Sequence, residues 1–223
     1  MNCTLLKVAN MQKNLHLFTL GLLSCFSAYS AMPIDGLYST AFGGLSLVTP
    51  NIDVTYKNVY LNQSNYNSGF DAGGALGYKS SIWRYEVEVT YFDAVINQIA
   101  VDRVVDKTPQ GYNDGVLGFL NILLDVPVSA TNLIQPYLGA GIGYAWIQNN
   151  VSNTNNTVQF NPNNYALAYQ ATAGLIYNFA ENWSLSAAYH FMSTTHINTL
   201  GSNFQTSLVN GGITCRFDEC EYK

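Results

Sequence analysis

Along most of the chain, apolar and polar residues alternate with a period of two, the spacing that puts successive side chains on opposite faces of a β-strand. The clearest run is Trp183, Leu185, Ala187, Tyr189 and Phe191, interleaved with Ser184, Ser186, Ala188, His190 and Met192. A second sets Trp83, Tyr85, Val87, Val89 and Tyr91 against Arg84, Glu86, Glu88 and Thr90. Tyr165, Leu167, Tyr169, Ala171, Ala173, Leu175 and Tyr177 oppose Gln170, Thr172, Gly174 and Asn178, and Val209, Gly211, Ile213, Cys215 and Phe217 oppose Asn210, Gly212, Thr214 and Arg216. Weaker alternation over 37–48, 70–79, 114–126 and 136–146 brings the predicted strands to eight.

The second run decides which face is which. A soluble sandwich could not bury the face that carries three charges while leaving aromatic residues and valines in water. Lipid on the greasy face resolves this, so the polar residues point inward. Composition agrees: charged residues are 10% of the chain and aromatics 13%, with Tyr 16 and Gly 18. Beyond the N-terminus no apolar run reaches the ~18 residues of a membrane helix, and segment 116–126 is broken by Asn121 and Asp125. The spanning solution left is a closed barrel, in which every backbone group pairs within the wall. The predicted fold class is all-β, an eight-stranded antiparallel transmembrane up-and-down β-barrel.

Connections alternate in length. Long polar segments fall at 49–69, 93–113, 148–164 and 194–203, and short turns near 80–82, 127–135 and 180–182. Outer-membrane barrels keep long loops outside and short turns in the periplasm, so both termini are expected to be periplasmic. The asparagine-rich stretch 149–156 holds few residues able to build a core and is expected to be mobile. Glycines at 43–44, 73–74 and 139, 141 and 143 suit a tightly curved wall. The Gly-x-Gly-x-Gly run has a strand's period, not the spacing of a phosphate loop.

The N-terminus reads as an export signal over residues 1–30: Lys13, an apolar core over 15–26, then Ser27, Ala28 and Ser30. Met11 is an alternative start. The barrel then occupies 31–217, and 218–223 form a short periplasmic tail. The formal charge is −5 for the whole chain; cleavage after Ser30 removes Lys7 and Lys13 and no acid, leaving 7 basic against 14 acidic residues. A net negative chain is the wrong sign for nucleic acid. Cys3 and Cys25 leave with the signal, and Leu22-Leu23-Ser24-Cys25 is a poor lipoprotein box. Cys215 and Cys220 could bridge only across a sharp turn.

The alternation turns Lys79, Arg84, Glu86, Glu88, Asp125, His190 and Arg216 inward. A narrow barrel is filled by side chains, so these groups must pair or meet water. We expect an interior charge network in which Glu86 and Glu88 are answered by Lys79, Arg84 or Arg216, acting as a permanent plug or, alternatively, as a gated pore. Serine catalysis needs a base within reach of the hydroxyl; His190 with Ser186 or Ser193, and His196 with Ser193, are the nearby pairs. The reading is that none is catalytic. The histidines and cysteines match no metal-ligand spacing, and no cofactor is expected. A lipocalin-like soluble carrier would need the opposite sidedness.

With these features the chain resembles the opacity-type and OmpA-like family of eight-stranded outer-membrane proteins. The resemblance rests on Asp35-Gly36-Leu37-Tyr38 after the signal, the charged strand 83–91, the strand 136–144 and the end Gly212-Ile213-Thr214-Cys215-Arg216-Phe217. It implies an outer-membrane location and a structural or adhesin-like surface role without a cofactor. It also implies that the barrel-assembly machinery reads a terminal aromatic. Here the chain departs from the pattern, running past Phe217 to Tyr222 and Lys223. The expected partners are outer-membrane lipids and lipopolysaccharide, the assembly machinery, and a host or surface ligand at the loops; the barrel is expected to be a monomer. A lipid-modifying enzyme is a further alternative, although its His-x-Ser-Asn pattern is absent: the chain reads His190-Phe191-Met192-Ser193.

Overall fold

The alternating segments become strands that pair in chain order. The computed structural model describes residues 35–50, 52–56, 59–101, 104–106, 110–128, 133–152 and 159–217. Its strands are β1 (Gly36–Val48), β2 (Val54–Tyr56), β3 (Val59–Tyr66), β4 (Gly69–Ser80), β5 (Trp83–Val101), β6 (Val104–Asp106), β7 (Gln110–Asp125), β8 (Ile134–Ser152), β9 (Gln159–Phe160), β10 (Asn163–Asn178), β11 (Trp183–Ile197) and β12 (Ser202–Arg216). The eight long strands β1, β4, β5, β7, β8, β10, β11 and β12 each pair antiparallel with the next, and β12 returns to pair with β1. The sheet is therefore a closed up-and-down barrel with no edge in its wall. The proposed signal at 1–30 and tail at 218–223 lie outside the described residues.

Short connections gather at one end with the first and last strand termini. The turn after β4 places Ser81 in the left-handed region (φ 58°), and the Ser81 amide donates to Asp35 Oδ2 at 2.9 Å. At the other end the strands are longer than the alternation predicted. β5 runs ten residues past Tyr91, and β2, β3 and β6 pair beside it to form a small outer sheet. The segments expected as polar loops at 49–69 and 93–113 thus contain strands. Residues 149–152, expected to be mobile, belong to β8, while 153–156 lie outside the described residues.

The barrel wall meets lipid as the charged strand required. Trp83, Tyr85, Val87, Val89 and Tyr91 are exposed on the outside, while Arg84, Glu88 and Thr90 are buried. On β8 the apolar outer face runs from Ile134 to Trp146, which spans roughly 30 Å along the axis for strands tilted about 40°. Tyr78, Trp83, Tyr177 and Trp183 mark the lower border of this belt, and Tyr91, Trp146, Tyr165 and Phe191 the upper.

One expectation is corrected. The inward face is not polar throughout, because the sense of the alternation reverses at the upper border. On β5 the outward residues switch from Tyr91 to Asp93, while the inward ones become Phe92, Ala94 and Ile96. Above the membrane the outside is water, so the apolar side of each strand turns inward as in a soluble barrel. Phe92, Ile147 and Phe204 join Leu117, Phe119 and Leu208, which lie just below the border, in a buried apolar cluster closed over by Ile52 and Leu61 from the outer hairpin and by Leu200. Phe92 and Phe204 meet with ring centroids 5.2 Å apart.

Close approach of neighbouring strands requires glycine at some wall positions and not at others. A Cβ on the inward-facing Gly143 would lie 1.8 Å from the Gly118 carbonyl oxygen across the β7–β8 ladder, whereas one on Gly118 itself would meet nothing within 4 Å.

Candidate functional site

The interior below the apolar cluster is mostly polar, with a small apolar group of Leu123, Tyr137 and Ile176 beside the charges, and strand register assembles it. Lys79 and Arg84 face each other across β4 and β5, and Asp125 on β7 is the diagonal neighbour of Arg84, whose direct partner is Leu123. Asp125, 1% exposed, takes both cations: Lys79 Nζ donates to Oδ2, and Arg84 Nε donates to Oδ1 at 2.8 Å. Arg84 also reaches Glu86 through Nη1 at 3.2 Å and lies 4.5 Å over the Tyr137 ring. The Tyr38 hydroxyl donates to Glu86 Oε1 at 2.5 Å. Lys79, Arg84, Glu86 and Asp125 thus form one connected group near the end that carries the short turns.

The other residues of the expected network sit apart from it. Glu88 is answered by neutral donors: Thr90 Oγ1 at 2.9 Å, Asn121 Nδ2 at 2.7 Å and Gln170 Nε2 at 3.1 Å. Gln170 also donates to Asn121 Oδ1 at 2.6 Å, tying β5, β7 and β10 together through uncharged amides. Arg216 donates to Asn178 Oδ1 at 2.7 Å and Ser184 Oγ at 3.2 Å. Arg216 Nη1 also donates to the Glu181 carbonyl at 3.4 Å, so its partners are neutral oxygens and neither Glu86 nor Glu88, the partners expected above. His190 Nδ1 is 3.1 Å from Thr172 Oγ1, and its ring stacks on Phe42 with centroids 6.2 Å apart. No hydrogen bond joins His190 to Ser186 or Ser193 among the described residues, and His196 is exposed.

Sequence reasoning passed over several members of this interior. Tyr38, Asn121 and Gln170 carry no charge and so did not enter the count of groups needing partners. Asp71 and Asn210, on either side of Gly44 in the β4–β1–β12 register, are also buried in this interior. Between the lower charged group and the apolar cluster lies a cavity of ≈ 40 Å³, lined among others by Thr40, Glu86, Glu88, His190 and Asn210. It has room for about three waters. Among the described residues no group of three or more His, Cys, Asp or Glu could hold a metal ion. Cys215 sits opposite Trp183 at the lower border; Cys220 lies outside the described residues.

Above the membrane, Tyr66 of β3 packs against the apolar cluster. Burial pushes its phenol up to about 12, and hydrogen bonds with Asn113 and Ser64 partly offset this. The group is neutral at physiological pH.

A closed eight-stranded wall, a lipid-facing belt between aromatic borders and a filled interior define an outer-membrane β-barrel. The Neisserial surface protein A, NspA, superposes with a TM-score of 0.60 at 16% identity, covering 82% of this chain and 97% of its own. The N-terminal barrel of Pseudomonas aeruginosa OprF (TM-score 0.44, 17% identity, 82% and 99% covered) and Yersinia pestis Ail (TM-score 0.45, 14% identity, 81% and 99% covered) are also similar. Residues 113–210 match the model of a family described as surface antigen. No curated protein sequence matches the chain. The protein has the fold of an eight-stranded outer-membrane β-barrel and is similar, over residues 113–210, to the surface antigen family.

Proposed function

We propose that this protein works at the cell surface, as a structural and adhesin-like barrel whose contacts are made by the part standing above the lipid, after export through a cleaved signal at 1–30. The observation that carries the reading is the division of the barrel at its upper border. Below Tyr91 the interior holds Lys79, Arg84, Asp125 and Glu86, and at and above it lies an apolar cluster around Phe92 and Phe204. Strands that continue beyond the membrane around an apolar core of their own make a stiff platform for the outer segments, and exposed loops held on a rigid scaffold are where recognition concentrates. A through-pore would need both interior layers to open, so the plug is favoured over the gate.

The test compares bacteria producing the intact protein with bacteria producing a variant whose residues 153–158 are replaced by a short Gly-Ser linker. Adherence to epithelial cells and to immobilised matrix protein is measured, with folding checked by the gel mobility of unboiled samples. Adherence should rise with the intact protein and fall when the outer segment is replaced. Equal adherence with and without the intact protein refutes the adhesin-like role.

A further inference from the structure

We infer that the polar cavity between the lower charged group and the apolar cluster binds one monovalent alkali cation, which balances the charge of the barrel interior. The described residues turn three cations inward, Lys79, Arg84 and Arg216, and four carboxylates, Asp71, Glu86, Glu88 and Asp125. One negative charge is left over. Glu86 and Asp125 are the carboxylates that meet cations. Glu88 rests on three neutral donors, Thr90, Asn121 and Gln170, and Asp71 meets the amide of Asn210. Arg216 gives neither of them relief, since its donors go to neutral oxygens near the short turns. A buried carboxylate without a counter-charge is costly, and the apolar cluster stands between this layer and the outer segments, so the counter-charge belongs inside the barrel.

The cavity supplies the ligands. Glu86, Glu88, Asn210, Thr40 and Thr214 line its ≈ 40 Å³. Asn210 is 4% exposed. A carboxylate accepts, so Asp71 takes the N–H side of this amide. That leaves Asn210 Oδ1 buried and without a donor among the described residues. The Thr40 and Thr214 hydroxyls lie 2.9 Å apart and bring further lone pairs. Carboxylate, amide and hydroxyl oxygens are the ligands that hard cations take, and a ring of such dipoles replaces a hydration shell. Arg84 also borders the cavity, but Glu86 and Asp125 meet its charge. A divalent ion would overshoot a single excess charge. The volume takes one alkali ion with about two waters. His190, bonded to Thr172 through Nδ1 and stacked on Phe42, lines the same cavity. A proton there is the competing counter-charge, and dependence on the salt cation separates the two.

The test folds the full-length protein in nonionic detergent and measures urea midpoints in sodium, potassium or N-methyl-D-glucamine chloride. Total ionic strength is held equal with the organic salt, so screening is constant. The midpoint should be higher in sodium or potassium than in the organic salt. Once the site is filled, each further tenfold rise in the alkali ion should raise it by about 0.7 M. Thr40→Val with Thr214→Val removes two hydroxyls that are each other's partner, so it strands no donor and should fold while losing most of that dependence. Asp71→Asn removes the excess charge without touching the cavity lining, and should lose it too. Asp93→Asn, an acid on the outer face, should keep it in full. Unboiled gel mobility confirms folding; should the threonine pair fail to fold, Asp71→Asn decides. Equal midpoints in the three salts overturn the inference and assign the counter-charge to a proton. Undiminished dependence in a folded interior variant, or its loss in Asp93→Asn, overturns it as well.

Discussion

Asp125→Leu is the sharpest probe of the interior. Asp125 is almost fully buried and accepts from both Lys79 and Arg84, so a near-isosteric apolar replacement strands two cations at once. Breaking a buried pair by removing one partner costs about 3–5 kcal/mol, mostly the desolvation of the charge left behind. Arg84 keeps Glu86 at 3.2 Å and the Tyr137 face, so the larger part of the penalty falls on Lys79. With a urea slope of about 2 kcal/mol/M, the midpoint should drop by about 2 M. Adding Lys79→Met to Asp125→Leu removes the stranded ammonium and should restore more than half of the loss, since an apolar replacement of a whole buried pair is often neutral. Unfolding would be followed in detergent micelles by tryptophan fluorescence and by the gel mobility of unboiled samples. A single-variant midpoint within about 0.3 M of the parent, or a double variant no better than the single, would mean that water reaches the group and that the buried-network reasoning is wrong.

Three further outcomes are expected. Gly143→Ala should block or strongly impair folding, because its Cβ meets a backbone oxygen at 1.8 Å, while Gly118→Ala on the neighbouring strand should fold like the parent; paired refolding yields check this. Phe92→Ala should cost about 3–5 kcal/mol in the same urea assay, yet show no steady current in planar bilayers, because the Lys79, Asp125 and Arg84 group still fills the barrel below. A short epitope inserted between residues 153 and 158 should bind antibody on intact cells, and the same epitope after Ser81 should do so only once the outer membrane is permeabilised; the reverse result would invert the barrel.

The strands that were easiest to read are those whose outward residues face hydrocarbon along their whole length. Trp83 to Tyr91 and Trp183 to Phe191 show an unbroken contrast between the two faces, and the starts of β5 and β11 follow it to the residue. The upper ends were hidden for a physical reason. Past Tyr91 the outside becomes aqueous, so Asp93 and Asn97 read as loop, and Phe92, Ala94 and Ile96 read as scatter unless the reversal of sidedness is recognised. In the interior, the alternation alone turns Arg84 and Asp125 inward, but partner choice depends on which strands adjoin. Glu88 lies within reach of Asn121 and Gln170 because β7 and β10 carry amides at the matching height, and one sequence read strand by strand does not contain that information. Tyr38 escaped notice because a phenol needs one partner, not a counter-charge.

Closure of the wall rests on β1 and β12, which meet along eleven residue pairs from Tyr38 with Arg216 to Val48 with Thr206. These segments are separated by most of the described chain; Thr40 and Thr214, whose hydroxyls touch at 2.9 Å, are 174 residues apart. Every other long ladder can form as soon as its neighbour is made, but this one waits for the last strand. Until then the protein has two unpaired edges, each a template for another chain, and the loop-closing entropy is met in a single late step. An unassembled molecule is therefore most vulnerable at its two ends, and a factor that holds β1 while β12 arrives would govern the yield of folded barrel more than any contact inside it.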